Sequence, residues 1–378
     1  MSQKEKELEI DEEIDNEEGG EQEEIQEPNF DPKDIDIAVE QRALYNIISR
    51  MRSGMIDLNT EFQRSGNLWK PYYQSRLIES ILLRFPLPAF YFDASDDDKW
   101  LVVDGLQRLW TLKRFIVDET LKLRGLEVLK DMNGLKYQDL PEKMKLRINE
   151  FQVITFLIKP GTPKEVKYDV FNRINTGGLS LTSQEIRHAL NQDIAAPFLQ
   201  ELVYADKEAK KFTEQYESLI GVNDKRMAGR EMILRHLAFR RVGWRNYKPS
   251  LRRFLDNEME KIEVGIDNEL KTRVAELWRS LKVAHQLFDD HVFSKSLANE
   301  GNRHHLNSSL FEVWSVLIAE LTQKEQKALL NNKGKVLKAF QQILLDREFN
   351  KAISVATSSK SNVLTRFKKV NDLIQKHI

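Results

Sequence analysis

Cysteine is absent from all 378 residues, which excludes a disulfide framework, a thiolate nucleophile and any Cys-ligated zinc. No run approaches the roughly 18 apolar residues that a membrane helix needs. Met1–Glu5 also lacks the basic and then apolar pattern of a secretory signal, so a cytoplasmic protein with no membrane contact is expected. A Walker A loop is missing, because Asn331-Asn332-Lys333-Gly334-Lys335 lacks the spaced glycines and the following Ser or Thr. Histidine is scarce, at seven residues, and only Asn302-Arg303-His304-His305 groups it densely, in a loop-like stretch. His188 on an expected helix and His236 among apolar residues read as helix-surface or core positions. What is present is 41% apolar and 31% charged sequence, enough for a sizeable core and for two domains at this length.

A net charge of −1 conceals a division. Residues 1–27 hold thirteen Asp and Glu against Lys4 and Lys6, a local charge of −11, so the remaining body carries +10. Such a leader cannot bury enough apolar surface to fold, and residues 1–34 are expected to be a disordered acidic leader. A second reading has it compete with nucleic acid for a basic surface.

Along the chain, Val39, Ala43, Leu44, Ile47, Ile48 and Met51 recur at helical spacing, and Ile56 to Phe62 suggests a short strand. Leu77, Ile78, Ile81 and Leu82 make one apolar helix face, which Pro86 and Pro88 end. Strands are expected at Ala89 to Phe92, Trp100 to Val103 and Gln152 to Ile158, with Asp96-Asp97-Asp98 as a charged turn. Val166, Val170, Phe171 and Ile174 form a helical stripe ending at Asn175-Thr176-Gly177-Gly178, and Thr182-Ser183-Gln184-Glu185 matches a capping box. Beyond it the pattern is helical throughout, including Met232 to Phe239, Leu270 to Leu287, Leu310 to Leu321 and Leu329 to Leu345. The expected class is α+β: an N-terminal domain over residues 35–185, then an all-helical region over 186–378.

Three segments are polar in ways that a core does not require: Glu61-Phe62-Gln63-Arg64, Asp104-Gly105-Leu106-Gln107-Arg108 and Arg173-Ile174-Asn175-Thr176-Gly177-Gly178. Each falls at the edge of an expected element, where side chains from different elements converge. Arg64, Arg108 and Arg173 are bidentate donors suited to phosphate, and Gly105, Gly177 and Gly178 permit close backbone approach. Asp104 is suited to a divalent cation or to orienting a water, and Gln107 to positioning that water. Read alone, Asp104-Gly105 is equally a turn and Gly177-Gly178 equally a helix cap. Trp69, Tyr72, Tyr73 and Trp110 fit core packing or base stacking. Arg240, Arg241, Arg245, Lys248, Arg252 and Arg253, interleaved with Trp244 and Tyr247, form the best nucleic-acid patch, with a solvated helix face as the alternative.

The ordered run of Phe62-Gln63-Arg64, Trp69, Leu77 to Leu82, Pro86-Leu87-Pro88, Asp104 to Arg108, Phe171 to Gly178 and Leu181 to Arg187 resembles the N-terminal domain of GmrSD-type modification-dependent restriction systems. Arg226 to Arg235 and Asn307 to Trp314 resemble the helical continuation of such proteins, extending the likeness over residues 40 to about 320. The resemblance implies a ParB/sulfiredoxin-like fold and a phage-defence protein that binds NTP with Mg2+ and hydrolyses it. Asp104, Gln107 and Arg108 would be catalytic, Asp104 the metal ligand, and Gln63, Arg64, Gly105, Arg108, Arg173, Asn175, Thr176, Gly177 and Gly178 the nucleotide contacts. Leu106 departs from the family's Asp-Gly-Gln-Gln-Arg signature and Trp110 replaces a usual Thr. Leu106 cannot hydrogen-bond through its side chain, so binding is the firmer expectation and turnover the weaker one. Partners implied are DNA, an effector or nuclease protein and a second copy of the chain. The alternatives are an inactive ParB-like module for nucleic acid or protein, and a metal-dependent nuclease using Asp104.

Overall fold

The computed structural model describes residues 31–58, 69–174, 182–203, 224–298 and 305–378, which divide into two compact units between Thr182 and Ser183. The architecture is α+β. The first unit holds strands β1 (Ile37–Ala43), β2 (Ile56–Asp57), β3 (Phe90–Asp93), β4 (Trp100–Asp104) and β5 (Gln152–Ile158) in one sheet of order β1-β5-β3-β4-β2. Pairs β1–β5 and β3–β4 are antiparallel; β3–β5 and β2–β4 are parallel. Its described helices are α1 (Leu44–Arg52), α2 (Pro71–Leu82), α3 (Leu106–Leu112), α4 (Glu142–Asn149) and α5 (Lys164–Ile174).

One face of this sheet carries the core. Phe90, Phe92, Trp100, Val102, Val153 and Leu157 alternate along their strands and pack with Leu44, Ile47, Ile78, Ile81, Leu109 and Trp110 from the helices. The helix expected over Val39 to Met51 begins only at Leu44. Residues 37–43 instead form β1, because Ile37, Val39 and Gln41 oppose Ile158, Phe156 and Ile154 of β5 in a full antiparallel ladder. The i, i+3, i+4, i+7 set is Leu44, Ile47, Ile48 and Met51, all buried, and that is where the helix sits. The expected strands at Phe90, Trp100 and Gln152 form; of Ile56 to Phe62 the strand covers Ile56–Asp57, and residues 59–68 lie outside the described chain.

The second unit is helical: α6 (Ser183–Leu190), α7 (Ala195–Val203), α8 (Ala228–Val242), α9 (Leu251–Val264), α10 (Asn268–Phe288), α11 (Ser308–Glu320), α12 (Gln323–Asn331), α13 (Lys333–Leu345), α14 (Arg347–Ala352) and α15 (Lys360–Gln375). The single helix expected over Leu329 to Leu345 is two, broken at Asn332, whose side chain bonds the carbonyls of Ala328 and His377. Glu185, the far end of the expected capping box, is buried and pairs with Arg226 at 2.8 Å. Helix α11 is buried on every side, and its Glu312 accepts from Arg235 of α8 at 2.6 Å and Arg366 of α15 at 2.7 Å. Arg235 also pairs with Glu231, Glu231 with Arg187 of α6, and Arg187 with Asp256 of α9. Acid and base thus alternate through five helices.

Candidate functional site

Asp104 ends β4, Gly105 turns the chain, and α3 begins at Leu106. Gly105 has φ +98°, and a Cβ there would lie 2.5 Å from the Phe90 ring, so glycine is required twice over. A β-bulge shapes the approach to this turn. Tyr91 opposes Asp104 while Phe92 opposes Val102, which leaves Val103 as the extra residue and sets Asp104 beside Tyr91.

Arg108, one turn into α3, closes the turn. Its Nη2 donates to Asp104 Oδ2 at 2.8 Å and to the carbonyl of Ala89 at 3.1 Å; its Nη1 donates to the carbonyl of Pro88. The guanidinium also lies over the Phe90 ring, 4.5 Å from the centroid. Burial pulls the Arg108 pKa below the usual arginine value and Asp104 opposes that shift, so the cation remains charged and anchored. The pair is asymmetric: the Arg108 side chain is 9% exposed and the Asp104 side chain 32%. Arg108 is therefore tied to protein oxygens, and Asp104 is the member that solvent reaches.

The neighbouring signature residues have structural partners. Gln107 accepts the Trp69 N–H at 2.9 Å through its side-chain oxygen. Leu106 packs against the core, and Trp110 is buried with its indole N–H on the Leu58 carbonyl. Of the aromatic residues offered for stacking, Trp110 is core and Trp69 half-buried, whereas Tyr72 and Tyr73 are exposed.

Helix α5 lies on the other face of the sheet, where Lys167 reaches Asp93 Oδ2 at 2.9 Å and Ser95 Oγ at 2.6 Å. Beyond that pair a cleft of about 380 Å³ opens between sheet and helix. Its floor is Ile37 and Val39 of β1, Tyr91 of β3 and Phe156 and Ile158 of β5; its wall is Val170, Arg173 and Ile174 of α5. The Tyr91 and Phe156 rings stack at 4.5 Å with 6° between their planes. Tyr91 is thus shared, joining Asp104 through the β3–β4 ladder and Arg173 through the cleft. Sequence reading missed Tyr91, Phe156 and Val39; the available signal was alternation, since residues opposite the buried Phe90, Phe92 and Leu157 must face outward.

Gln63, Arg64, Asn175, Thr176, Gly177 and Gly178, named from the sequence as nucleotide contacts, lie outside the described residues. So does His304 of the dense histidine group. Among the described residues no three His, Asp or Glu side chains gather to hold a metal ion.

The patch on the helical unit is put together differently from its sequence reading. Arg240 pairs with Glu276 at 2.7 Å, and Arg241 with the buried Glu258. Trp244 and Tyr247 are core residues, Trp244 stacked on Phe367 and the Tyr247 hydroxyl donating to the Ser358 carbonyl. Arg245, Lys248 and Arg253 are exposed, Arg245 lying over the outer Trp244 ring, and Arg252 is half-buried. No aromatic residue of the patch is therefore open for base stacking. His188 is buried, with Nδ1 3.0 Å from Arg230 Nη1, and His236 is buried beside Ser315. No described helix is long and apolar enough to cross a membrane.

Comparison with known proteins gives one result that bears on this site. The family model for the GmrSD restriction endonuclease, N-terminal domain, matches residues 44–192, which include β2 to β5, the Asp104 turn, α5 and α6. No curated protein and no solved structure matches the chain. With its Asp-Gly-Leu-Gln-Arg turn between β4 and α3, the segment 44–192 belongs to the GmrSD restriction endonuclease N-terminal domain family.

Proposed function

We propose that the N-terminal unit binds a nucleoside triphosphate with magnesium, as the ligand-sensing part of a restriction-type defence protein with a ParB/sulfiredoxin-like fold. The observation that carries this reading is the sharing of Tyr91 between the half-exposed carboxylate of Asp104 and the cleft that bears Arg173. An acid beside one end of β3 and a cation and an apolar floor in the cleft would supply contacts for the three parts of a nucleotide complex: metal, phosphate and base.

Asp104 fits magnesium bridged to phosphate, which needs only one or two protein carboxylates. The ion would supply neutralisation of phosphate charge. Arg173, exposed at the end of α5, presents a planar fork of donors to phosphate oxygens. Arg108 acts one step back, holding Asp104 and the Pro88–Ala89 carbonyls so that the turn is formed before ligand arrives. The helical unit would pass the occupied state to DNA or to an effector.

A reading with binding and no turnover has its own support. Leu106 is packed on the core and offers no acceptor, and the Gln107 side chain is tied to the Trp69 N–H, which restricts how it could orient an attacking water. Titration calorimetry of the full chain with each NTP and magnesium tests the proposal. Binding should weaken at least ten-fold in Arg173→Ala, and the absence of heat with every NTP sinks it. Phosphate release in the same samples separates hydrolysis from binding alone.

A further inference from the structure

We infer that the base of the bound nucleotide stacks on Phe156 above Val39, in a slot that recognises aromatic flatness and does not tell the four bases apart. This rests on the nucleotide reading above and names the specificity of that same cleft.

The argument starts from register. Tyr91 on β3, Phe156 on β5 and Val39 on β1 are successive neighbours across the sheet, all on its outer face. The first two positions carry rings already stacked at 4.5 Å and 6°. That spacing is close to the strand separation of about 4.8 Å, so the ladder itself sets a stacking interval. The third position carries only the short side chain of Val39, which is 60% exposed, and β1 is the end strand of the sheet. A planar heterocycle standing on Val39 would continue the stack as its third ring, with Phe156 on one side and solvent on the other.

Volume and chemistry agree with such an occupant. About 380 Å³ is room for a base and its sugar and falls within the usual range for small-ligand sites. Among the described side chains lining the cleft, only those of Tyr91 and Arg173 carry hydrogen-bonding groups; Ile37, Val39, Phe156 and Ile158 offer hydrocarbon. Strong discrimination between bases requires buried polar groups that the wrong base leaves unpaired. Stacking requires only a π-face, which every base has.

The test uses the full chain with magnesium and five ligands: ATP, GTP, CTP, UTP and inorganic triphosphate. The four nucleotides should bind within about five-fold of one another and at least ten-fold tighter than triphosphate. Val39→Trp fills the slot without adding charge and suits a strand, so it should bring all four nucleotides down to the affinity of triphosphate while leaving triphosphate itself unchanged. Phe156→Leu, conservative at a half-buried position, should weaken the nucleotides about ten-fold and spare triphosphate. A preference for one base above about thirty-fold overturns the inference. So does equal binding of nucleotides and triphosphate, or a Val39→Trp protein that keeps wild-type affinity, and either result leaves the nucleotide proposal standing. If neither nucleotides nor triphosphate bind, the proposal fails first and the inference with it.

Discussion

Arginine and carboxylate meet in both units of this protein, on opposite terms. In the helical unit Asp256, Arg187, Glu231, Arg235, Glu312 and Arg366 form an unbroken alternation, and at its end Arg366 and Glu312 have side-chain exposures of 1% and 0%. At the Asp104 turn the base is buried while a third of the acid faces water. A closed alternation satisfies itself: each charge sits between partners, and a ligand would have to displace one at the cost of leaving another bare. An open pair has one partner fixed and one face available. The same two residue types are therefore scaffold in one unit and candidate site in the other, with exposure of the acid making the difference.

Removing the centre of the closed alternation should have the largest effect. Glu312→Ala takes the shared carboxylate from Arg235, which keeps Glu231, and from the buried Arg366, which keeps only carbonyl partners, and should cost about 3–5 kcal/mol in urea unfolding. A loss under about 1 kcal/mol would mean that the network is not the scaffold described, and the contrast between the units would collapse.

Gly105→Ala comes next. It combines left-handed backbone with a methyl placed 2.5 Å from the Phe90 ring, and the expected loss is roughly 2–3 kcal/mol. Because the strain sits in the turn, Phe90→Leu in the same chain should recover part of it. Recovery of none would place the strain elsewhere.

Acid should separate the two units. Burial, aided by Arg240, lowers the His236 pKa to about 3 from 6.5. Between those values the unfolded chain binds a proton that the folded unit refuses, so helical-unit stability should fall with pH by about 1.4 kcal/mol per unit below 6.5. The acid counterpart in the first unit is Glu79. Burial pushes its pKa up, but the N–H groups of Leu129, Val128 and Glu127 together with Arg76 outweigh it and leave it below 4.5. Its contribution is complete above pH 4.5 and is lost only as pH falls through the lowered folded value. Between pH 6.5 and 5 the helical unit should therefore weaken alone, and His236→Gln should remove most of that slope. Equal slopes in wild type and variant would show that His236 titrates normally in the fold.

The parts legible in the sequence share a physical reason. Gln152 to Ile158 reads as a strand and Leu44 to Met51 as a helix because burial imposes its period on the chain. The Asp104 turn was legible because glycine is a strong local marker. Residues 37–43 misled because Val39 and Ala43 happen to fall in phase with the helix that follows, and only pairing with β5, over a hundred residues away, decides the strand. Arg108 was legible in part: sequence reveals a cation beside a phosphate-suited turn, but not that the Pro88 and Ala89 carbonyls accept from it. The cleft was hidden because Tyr91, Phe156 and Val39 become neighbours only across three strands.

The smallest expected change in stability is the sharpest test of the contrast. Asp104→Asn removes the exposed charge but leaves Arg108 bonded to two carbonyls and lying over Phe90, so the guanidinium is not left bare. By analogy with other part-exposed pairs the unfolding free energy should drop by about 1 kcal/mol or less. Magnesium-dependent nucleotide affinity should fall about ten-fold in the same protein, because the carboxylate proposed to hold the metal has lost its charge. A loss of 3 kcal/mol or more, with nucleotide affinity unchanged, would reverse the assignment: Asp104 would join Glu312 as a structural acid, and the exposure of its carboxylate would no longer mark a site.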